Sequence, residues 1–234
     1  KTLERIARRG RAGFYEGDTA DMLVGEMRRH GGLISHDDLK DYRSVWRDPV
    51  VGTYRDYSIV SMPPPSSGGA LLIQMLNMME PFAVGAMGYG SADVMHLMIE
   101  AERRAYADRA EHLGDPDFFR VPLQQLVDKD YARQRFNGFD PDRAGISAGV
   151  NAGAFAHESK ETTHLSIMDR NGNAVALTTT LNSGYGSHIV VEGAGFLLNN
   201  EMDDFSSKPN TLNQFNLIGR EANAIEPRKR MLSS

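Results

Sequence analysis

The sequence predicts an α+β fold, and three observations predict it. The front of the chain carries apolar residues at helical spacing, interrupted by one short strand pair. Residues 139 to 161 lose both periodicities. From residue 162 onward the chain turns β-rich.

Taken in order, Asp18 or Thr19 is placed to cap a helix running to His30, with Gly31-Gly32 ending it. Ser35-His36-Asp37-Asp38 has capping-box spacing, with Asp in place of the usual Glu, and opens a short helix. Val50 to Tyr54 and Tyr57 to Met62 read as strands around Arg55-Asp56. Pro63-Pro64-Pro65 excludes a central strand or helix interior. A helix from about Gly69 to Met79 carries Leu71, Leu72, Met75 and Met78 at helical spacing. A stronger one begins near Ser91, with Val94, Leu97, Met98, Ala101 and Ala105 as its apolar stripe. Its Arg103-Arg104 pair reads as a solvated face, and the methionines of both helices read as adaptable core packing. FDPDRAGISAGVNAGAFAHESKE, residues 139 to 161, is rich in Gly, Ala, Ser and Asn and reads as a loose connector. No internal repeat is present.

Composition narrows the function classes. A chain of 234 residues, 41% hydrophobic, is long enough for one large domain or two small ones. A net charge of −5, with Lys and Arg scattered among Asp and Glu, offers no basic face for nucleic acid. The absence of cysteine excludes disulfides and thiolate metal sites and leaves the redox compartment open. No stretch approaches the roughly 18 apolar residues that span a membrane. No signal peptide is visible, and both ends read as cut: residue 1 is already inside a helical pattern, and the chain stops at Met231-Leu232-Ser233-Ser234 with no terminating signal.

The most informative stretch is KETTHLSIMD, residues 160 to 169. Asp169-Arg170-Asn171-Gly172-Asn173 is a turn signal between two alternating strands. A two-residue loop would make paired residue numbers sum to ~343, and a three-residue loop to ~342. Only the second sets Leu165 against Leu177 and Ile167 against Val175, and register follows the buried face. It also makes Asp169 first and Gly172 fourth in a type I turn. This register puts Leu165 and Ile167 toward a core. On the other face it sets His164 opposite Thr178 and Thr162 opposite Thr180.

Such a threonine pair has several readings. Cross-strand Thr–Thr pairs are ordinary, weakly stabilising features. As a nucleophile, a threonine hydroxyl needs a base, and no Ser–His–Asp arrangement lies nearby. His164 reads either as that base or as a polar strand residue. A third route is a cut before Thr162, which would leave a free α-amine beside its own hydroxyl, with a pKa of roughly 7.7–8.0.

Glu161-Thr162-Thr163-His164-Leu165-Ser166 with Asp169, then Gly172-Asn173-Ala174-Val175, resembles the start of the small subunit of γ-glutamyltransferases. The likeness continues through Thr180-Leu181-Asn182, Gly195 to Asn200, and Met202-Asp203-Asp204-Phe205-Ser206. Upstream, MPPPSSGG (Met62 to Gly69), Tyr106-Ala107-Asp108-Arg109 and Gly114-Asp115-Pro116 resemble the large subunit. The resemblance implies an N-terminal nucleophile hydrolase with a four-layer αββα sandwich, of which this chain is an incomplete central portion. Residues 1–161 would be the C-terminal part of the large subunit, ending in a flexible pre-cleavage tail. Residues 162–234 would be the β-rich N-terminal part of the small subunit.

By the same resemblance, the precursor cuts itself between Glu161 and Thr162, and Thr162 becomes the nucleophile. Thr180 is the second threonine that hydrogen-bonds it. Asn182, Glu201 and Asp204 hold the substrate α-amine, Ser233 and Ser234 hold its α-carboxylate, and Phe215 occupies a possible lid. The implied substrate is a γ-glutamyl amide such as glutathione, with water or an amino acid or peptide as acceptor, in the periplasm or outside the cell. No cofactor is implied. The residues themselves leave other roles open: Asn182 before Ser183-Gly184 as a turn residue, Asp203-Asp204 as a cap, turn or metal pair, and Ser233-Ser234 as a frayed end. A metal is not expected, because no further clustered ligands support one.

Two family features fall outside the chain: a carboxylate-binding arginine before residue 1, and the oxyanion glycine pair after residue 234. Loss of oxyanion donors typically costs about 10²–10³ in rate, so this portion alone is expected to be inactive or incompletely folded. Two alternatives to the γ-glutamyl reading are a related acylase or poly-γ-glutamate hydrolase, and a non-catalytic binding protein that keeps the fold. Intact Thr162 and Thr180 speak against the latter.

Overall fold

The computed structural model describes residues 1–147, 150, 163–206, 208 and 221–232. The predicted Glu161, Thr162, Phe215, Ser233 and Ser234, and most of the predicted connector, lie outside the described residues. In chain order the elements are α1 (Thr2–Arg9), α2 (Ala12–Tyr15), α3 (Asp18–His30), α4 (His36–Asp41), β1 (Val50–Tyr54), β2 (Tyr57–Ser61), α5 (Ser67–Met79), α6 (Val84–Met87), α7 (Ala92–His112), α8 (Leu123–Leu126), α9 (Lys129–Phe136), β3 (Thr163–Met168) and β4 (Ala174–Thr179). Two 3₁₀ turns follow, Glu201–Asp204 and Glu221–Asn223. The chain divides into two compact units: Lys1–Trp46 with Ser159–Glu201, and Arg47–Glu158 with Met202–Ser234.

The first unit is organised by α3. Ala20, Leu23, Val24 and Met27 recur at helical spacing and are buried together with Leu39, Val191 and Ala194. Phe14, Tyr15, Met22, Phe196 and Leu198 close the edges of that cluster. The helix starts one residue earlier than its cap was expected. Gly17 is the N-cap, and Asp18 is already helical. Thr19 cannot cap because its hydroxyl is used in the interior: it donates to the Gly13 carbonyl at 2.9 Å and accepts from Arg5 at 3.2 Å. The left-handed Gly31 ends the helix as expected. The capping box of α4 is present in both halves, Ser35 to the Asp38 N–H and the Asp38 carboxylate to the Ser35 N–H.

The β3–β4 hairpin belongs to the same unit. Thr163 pairs with Thr179, Leu165 with Leu177 and Ile167 with Val175, the register chosen from the apolar face. The expectation that Leu165 and Ile167 face a core is not met. Leu165 is 38% exposed and Ile167 61%, with Val175 and Leu177 similarly open. A two-stranded hairpin has an apolar face but no layer of its own to cover it. All four side chains stay more than a third exposed.

In the second unit, β1 and β2 pair antiparallel around Arg55-Asp56 and lie against α5. The second strand ends at Ser61, one residue short of Met62. The helix α5 starts at Ser67 under the Ser66 cap, and Ala70, Leu71, Ile73 and Met78 are buried along it. Ser91 caps α7 as expected, and Leu97, Ala101 and Ala105 are fully buried. Leu72 and Met98 belonged to the expected stripes yet are 39% and 40% exposed, so each stripe is narrower than the spacing suggested. The helix α9, capped by Asp128, was not expected. Its buried face is only Ala132 and Phe136, too short a pattern to stand out from polar neighbours.

Arg103-Arg104 is a clearer correction. Neither residue is on a solvated face. Glu100 is 2% exposed and bridges both, to Arg103 at 2.8 Å and Arg104 at 2.6 Å, and it also accepts from the Gly145 N–H at 2.9 Å. The pair is inside because a buried carboxylate needs cationic partners, which local periodicity does not reveal. Burial pushes the Glu100 carboxyl up, but the Arg104 and Gly145 hydrogen bonds and the two guanidinium charges outweigh it, and the net displacement is downward. A carboxyl lowered in the folded state stabilises fully above its ordinary value of 4.5 and loses that contribution as pH falls through the folded value. Glu100→Gln in the full-length parent should therefore lower the urea midpoint near neutral pH and flatten its decline below 4.5. An unchanged acid-side decline would contradict this.

Candidate active site

The site is built from the β3–β4 turn outward. Asp169 opens the turn: its carboxylate accepts from the N–H groups of Asn171 and Asn173, at 2.8 and 2.9 Å, and from the Asn173 amide at 2.9 Å. The Asn173 side-chain bond and then its backbone N–H hold the Asp169 carboxyl below the usual range, with smaller contributions from Asn171 and Gly172. Gly172 closes the turn at φ 84°, where a side chain is strained, and donates to the Asp169 carbonyl at 3.1 Å. The turn fixes the register, and the register fixes which side chains share a face.

On the polar face, His164 bonds the Thr178 hydroxyl through Nδ1 at 2.8 Å and the Ser166 hydroxyl through Nε2 at 3.1 Å. Both ring nitrogens are thus engaged within the hairpin. Thr180 lies just past the end of β4, and its hydroxyl accepts the Asn182 N–H at 2.9 Å. Asn182 is buried and left-handed, φ 78°, a conformation Asn tolerates better than most residues. Its amide donates to the Asn200 carbonyl at 3.2 Å.

Asn200 is the residue the sequence reading did not single out. Its side-chain oxygen accepts from the Ser183 N–H at 3.1 Å and hydroxyl at 2.9 Å, and its N–H donates to Leu181 at 3.1 Å. It therefore latches Leu181–Ser183 to the start of the next segment. The adjacent Asn199-Asn200 pair was the available signal. Asn199 accepts the Glu201 N–H at 3.0 Å and so opens the 3₁₀ turn. Thr180, Asn182 and Glu201 thus lie in one unit, joined through Asn200.

Asp204 ends the same 3₁₀ turn and is described with the second unit. Its carbonyl accepts from the Asn223 amide at 2.6 Å, and the Ser206 N–H donates to the Asn223 carbonyl at 2.9 Å. Taken unit by unit, the groups described are hydroxyls, amides and half-buried carboxylates. Carboxylates and amide oxygens accept from an ammonium, and hydroxyls and amide N–H groups donate to a carboxylate. No group of three or more His, Asp or Glu placed to hold a metal ion occurs among the described residues. No described helix is long and apolar enough to cross a membrane.

Known proteins give this arrangement its context. The family model described as gamma-glutamyltranspeptidase matches residues 1–234. The glutathione hydrolase proenzyme of Escherichia coli (strain K12) is 50% identical over 100% of this chain and 40% of its own length. The acylase ACY 1 proenzyme of Pseudomonas sp. (strain SE83) is 39% identical over 100% of this chain and 39% of its own length. Among solved structures, Helicobacter pylori gamma-glutamyltranspeptidase is 45% identical with a TM-score of 0.62, covering 64% of this chain and 43% of that one. Cephalosporin acylase from Bacillus halodurans is 27% identical with a TM-score of 0.76, covering 97% of this chain and 38% of that one. The chain spans about two fifths of the length of the curated relatives it matches. With its whole length matched by the family model, the chain belongs to the gamma-glutamyltranspeptidase family.

Proposed function

We propose that the parent protein transfers or hydrolyses γ-glutamyl groups, on glutathione and related amides, after cutting itself between Glu161 and Thr162. The observation that carries this reading is the hairpin register. Thr163 pairs with Thr179, which supports reading Thr162 as the partner of Thr180 in the parent. The α-amine freed at Thr162 takes the proton from its own hydroxyl, near the pH where such amines titrate. The oxygen attacks the γ-carbonyl, the amide C–N bond breaks, and the proton passes to the departing nitrogen. Water or an amino-group acceptor then opens the threonyl ester.

In this reading Asn182, Glu201 and Asp204 hold the donor α-amine, Ser233 and Ser234 its α-carboxylate, and Phe215 covers the site. Residues 1–161 belong to a large subunit and 162–234 to a small one, cut from one precursor with a four-layer αββα sandwich. Export to the periplasm or beyond fits the family. A second reading, transfer of another acyl group, is favoured by the likeness to the Pseudomonas acylase and the Bacillus halodurans acylase structure. The two part at the α-amine.

The test gives the full-length parent γ-glutamyl-p-nitroanilide and glutaryl-p-nitroanilide, which differ only in that amine. The γ-glutamyl donor should react roughly 10²-fold faster or more, because polar groups built to bind the amine are left unpaired without it. Preference for the glutaryl donor would support the acylase reading. No release from either would remove the enzymatic one.

A further inference from the structure

Lys229 is buried where a lysine is rarely found. Its side chain is 1% exposed, although Lys is almost never enclosed without partners. The ammonium donates to the Ala224 carbonyl at 2.8 Å and lies 5.5 Å from the Phe118 ring centroid and 5.6 Å from that of Phe205. Glu226, half-exposed, stands 3.9 Å away at the rim. Two ring faces within about 6 Å and one carbonyl are what offset the loss of water around this charge.

These contacts converge on the segment carrying Asp204. Phe205 follows Asp204 directly and is 3% exposed. Ser206 pairs in parallel with Ala224, the residue whose carbonyl Lys229 holds. Asn223, next to Ala224, bonds the Asp204 carbonyl. The Glu221–Asn223 turn is held from behind by Gly114: a Cβ there would sit 2.0 Å from the Ala222 carbonyl oxygen. Asp115, in the same Gly-Asp-Pro motif, accepts the Phe118 N–H at 3.0 Å and so presents the second ring. One ammonium therefore joins the ring after Asp204 to the carbonyl after Asn223, and both neighbours fix the Asp204 backbone.

We propose that Lys229 is a positioning residue for the donor α-amine, holding the turn that presents Asp204. The inference rests on the γ-glutamyl reading above. Methionine matches the length of lysine and fills the same space, but it leaves the Ala224 carbonyl without this donor and the two rings without a cation. The full-length parent is compared with Lys229→Met and Lys229→Arg on the γ-glutamyl and glutaryl anilides. Lys229→Met should still cut itself. Its KM for the γ-glutamyl donor should rise roughly tenfold, about the effect of one lost charge-assisted hydrogen bond. Its kcat, and kcat/KM for the glutaryl donor, should stay near the parent values, and Lys229→Arg should recover part of the KM. Equal loss on both donors, lower kcat at unchanged KM, no change, or a chain that neither folds nor cuts itself would each overturn the proposal. A parent that does not cleave the γ-glutamyl donor would overturn the functional reading and this inference with it.

Discussion

Thr162→Ala in the full-length parent is expected to yield a single uncut chain with no measurable turnover. Both effects follow from one hydroxyl. Before the cut, the Thr162 nitrogen is an amide and cannot act as base, but its hydroxyl can attack the Glu161 carbonyl. That attack moves the acyl group from nitrogen to oxygen, and water then opens the ester. Alanine has no oxygen for this step and none for the later attack on substrate. Loss of an enzyme nucleophile costs about 10⁶-fold, so residual release should fall below detection in the anilide assay. A gel showing two fragments, or turnover at the parent rate, would remove Thr162 from its assigned role. Serine keeps a primary hydroxyl, so Thr162→Ser should retain cutting at a reduced rate. That retention separates a chemical loss from a folding one.

Asp204→Ala is expected to show the second-largest effect, this time on binding. In the proposed reading the donor ammonium loses its charged partner, and truncating one member of such a pair costs about 2–5 kcal/mol. The KM for γ-glutamyl-p-nitroanilide should rise roughly 10²-fold or more. The glutaryl donor carries no ammonium and should react as it does with the parent. Autocleavage should persist, because the scissile Glu161–Thr162 bond makes no use of the substrate amine. If both donors lose equally, the Asp204 side chain supports the turn itself rather than the substrate ammonium.

Much of this architecture was legible because it is local. The Asp169–Asn173 turn carries its residues in consecutive order, and the apolar alternation of Leu165, Ile167, Val175 and Leu177 admits one sensible register. The Ser35–Asp38 box and the Ser91 cap depend on residues within one helical turn. What escaped is tertiary. Thr19 spends its hydroxyl on Gly13, in the preceding helix, so Gly17 becomes the cap. Arg103 and Arg104 turn inward because Glu100 and Gly145 meet there, 45 residues apart in sequence. Asn200 reaches back to Ser183 and Leu181, and nothing in either segment alone announces that pairing. The uncovered hairpin face has a similar origin: alternation says which residues share a side, not what covers them.

The same distinction applies to the candidate site. Thr180 and Asn182 were singled out by the register and the motif, and the structure adds a bond between them. In the sequence Lys229 is one charge among several, between Arg228 and Arg230. Only its enclosure between Phe118 and Phe205 sets it apart.

The proposed chemistry begins at the bond between Glu161 and Thr162. Its most direct measurement is amino-terminal sequencing, with intact mass, of the smaller fragment from the purified full-length parent. The predicted result is a second chain beginning Thr162-Thr163-His164-Leu165. A single uncut chain that nevertheless turns over γ-glutamyl anilide, or a small fragment beginning at any other residue, would contradict it.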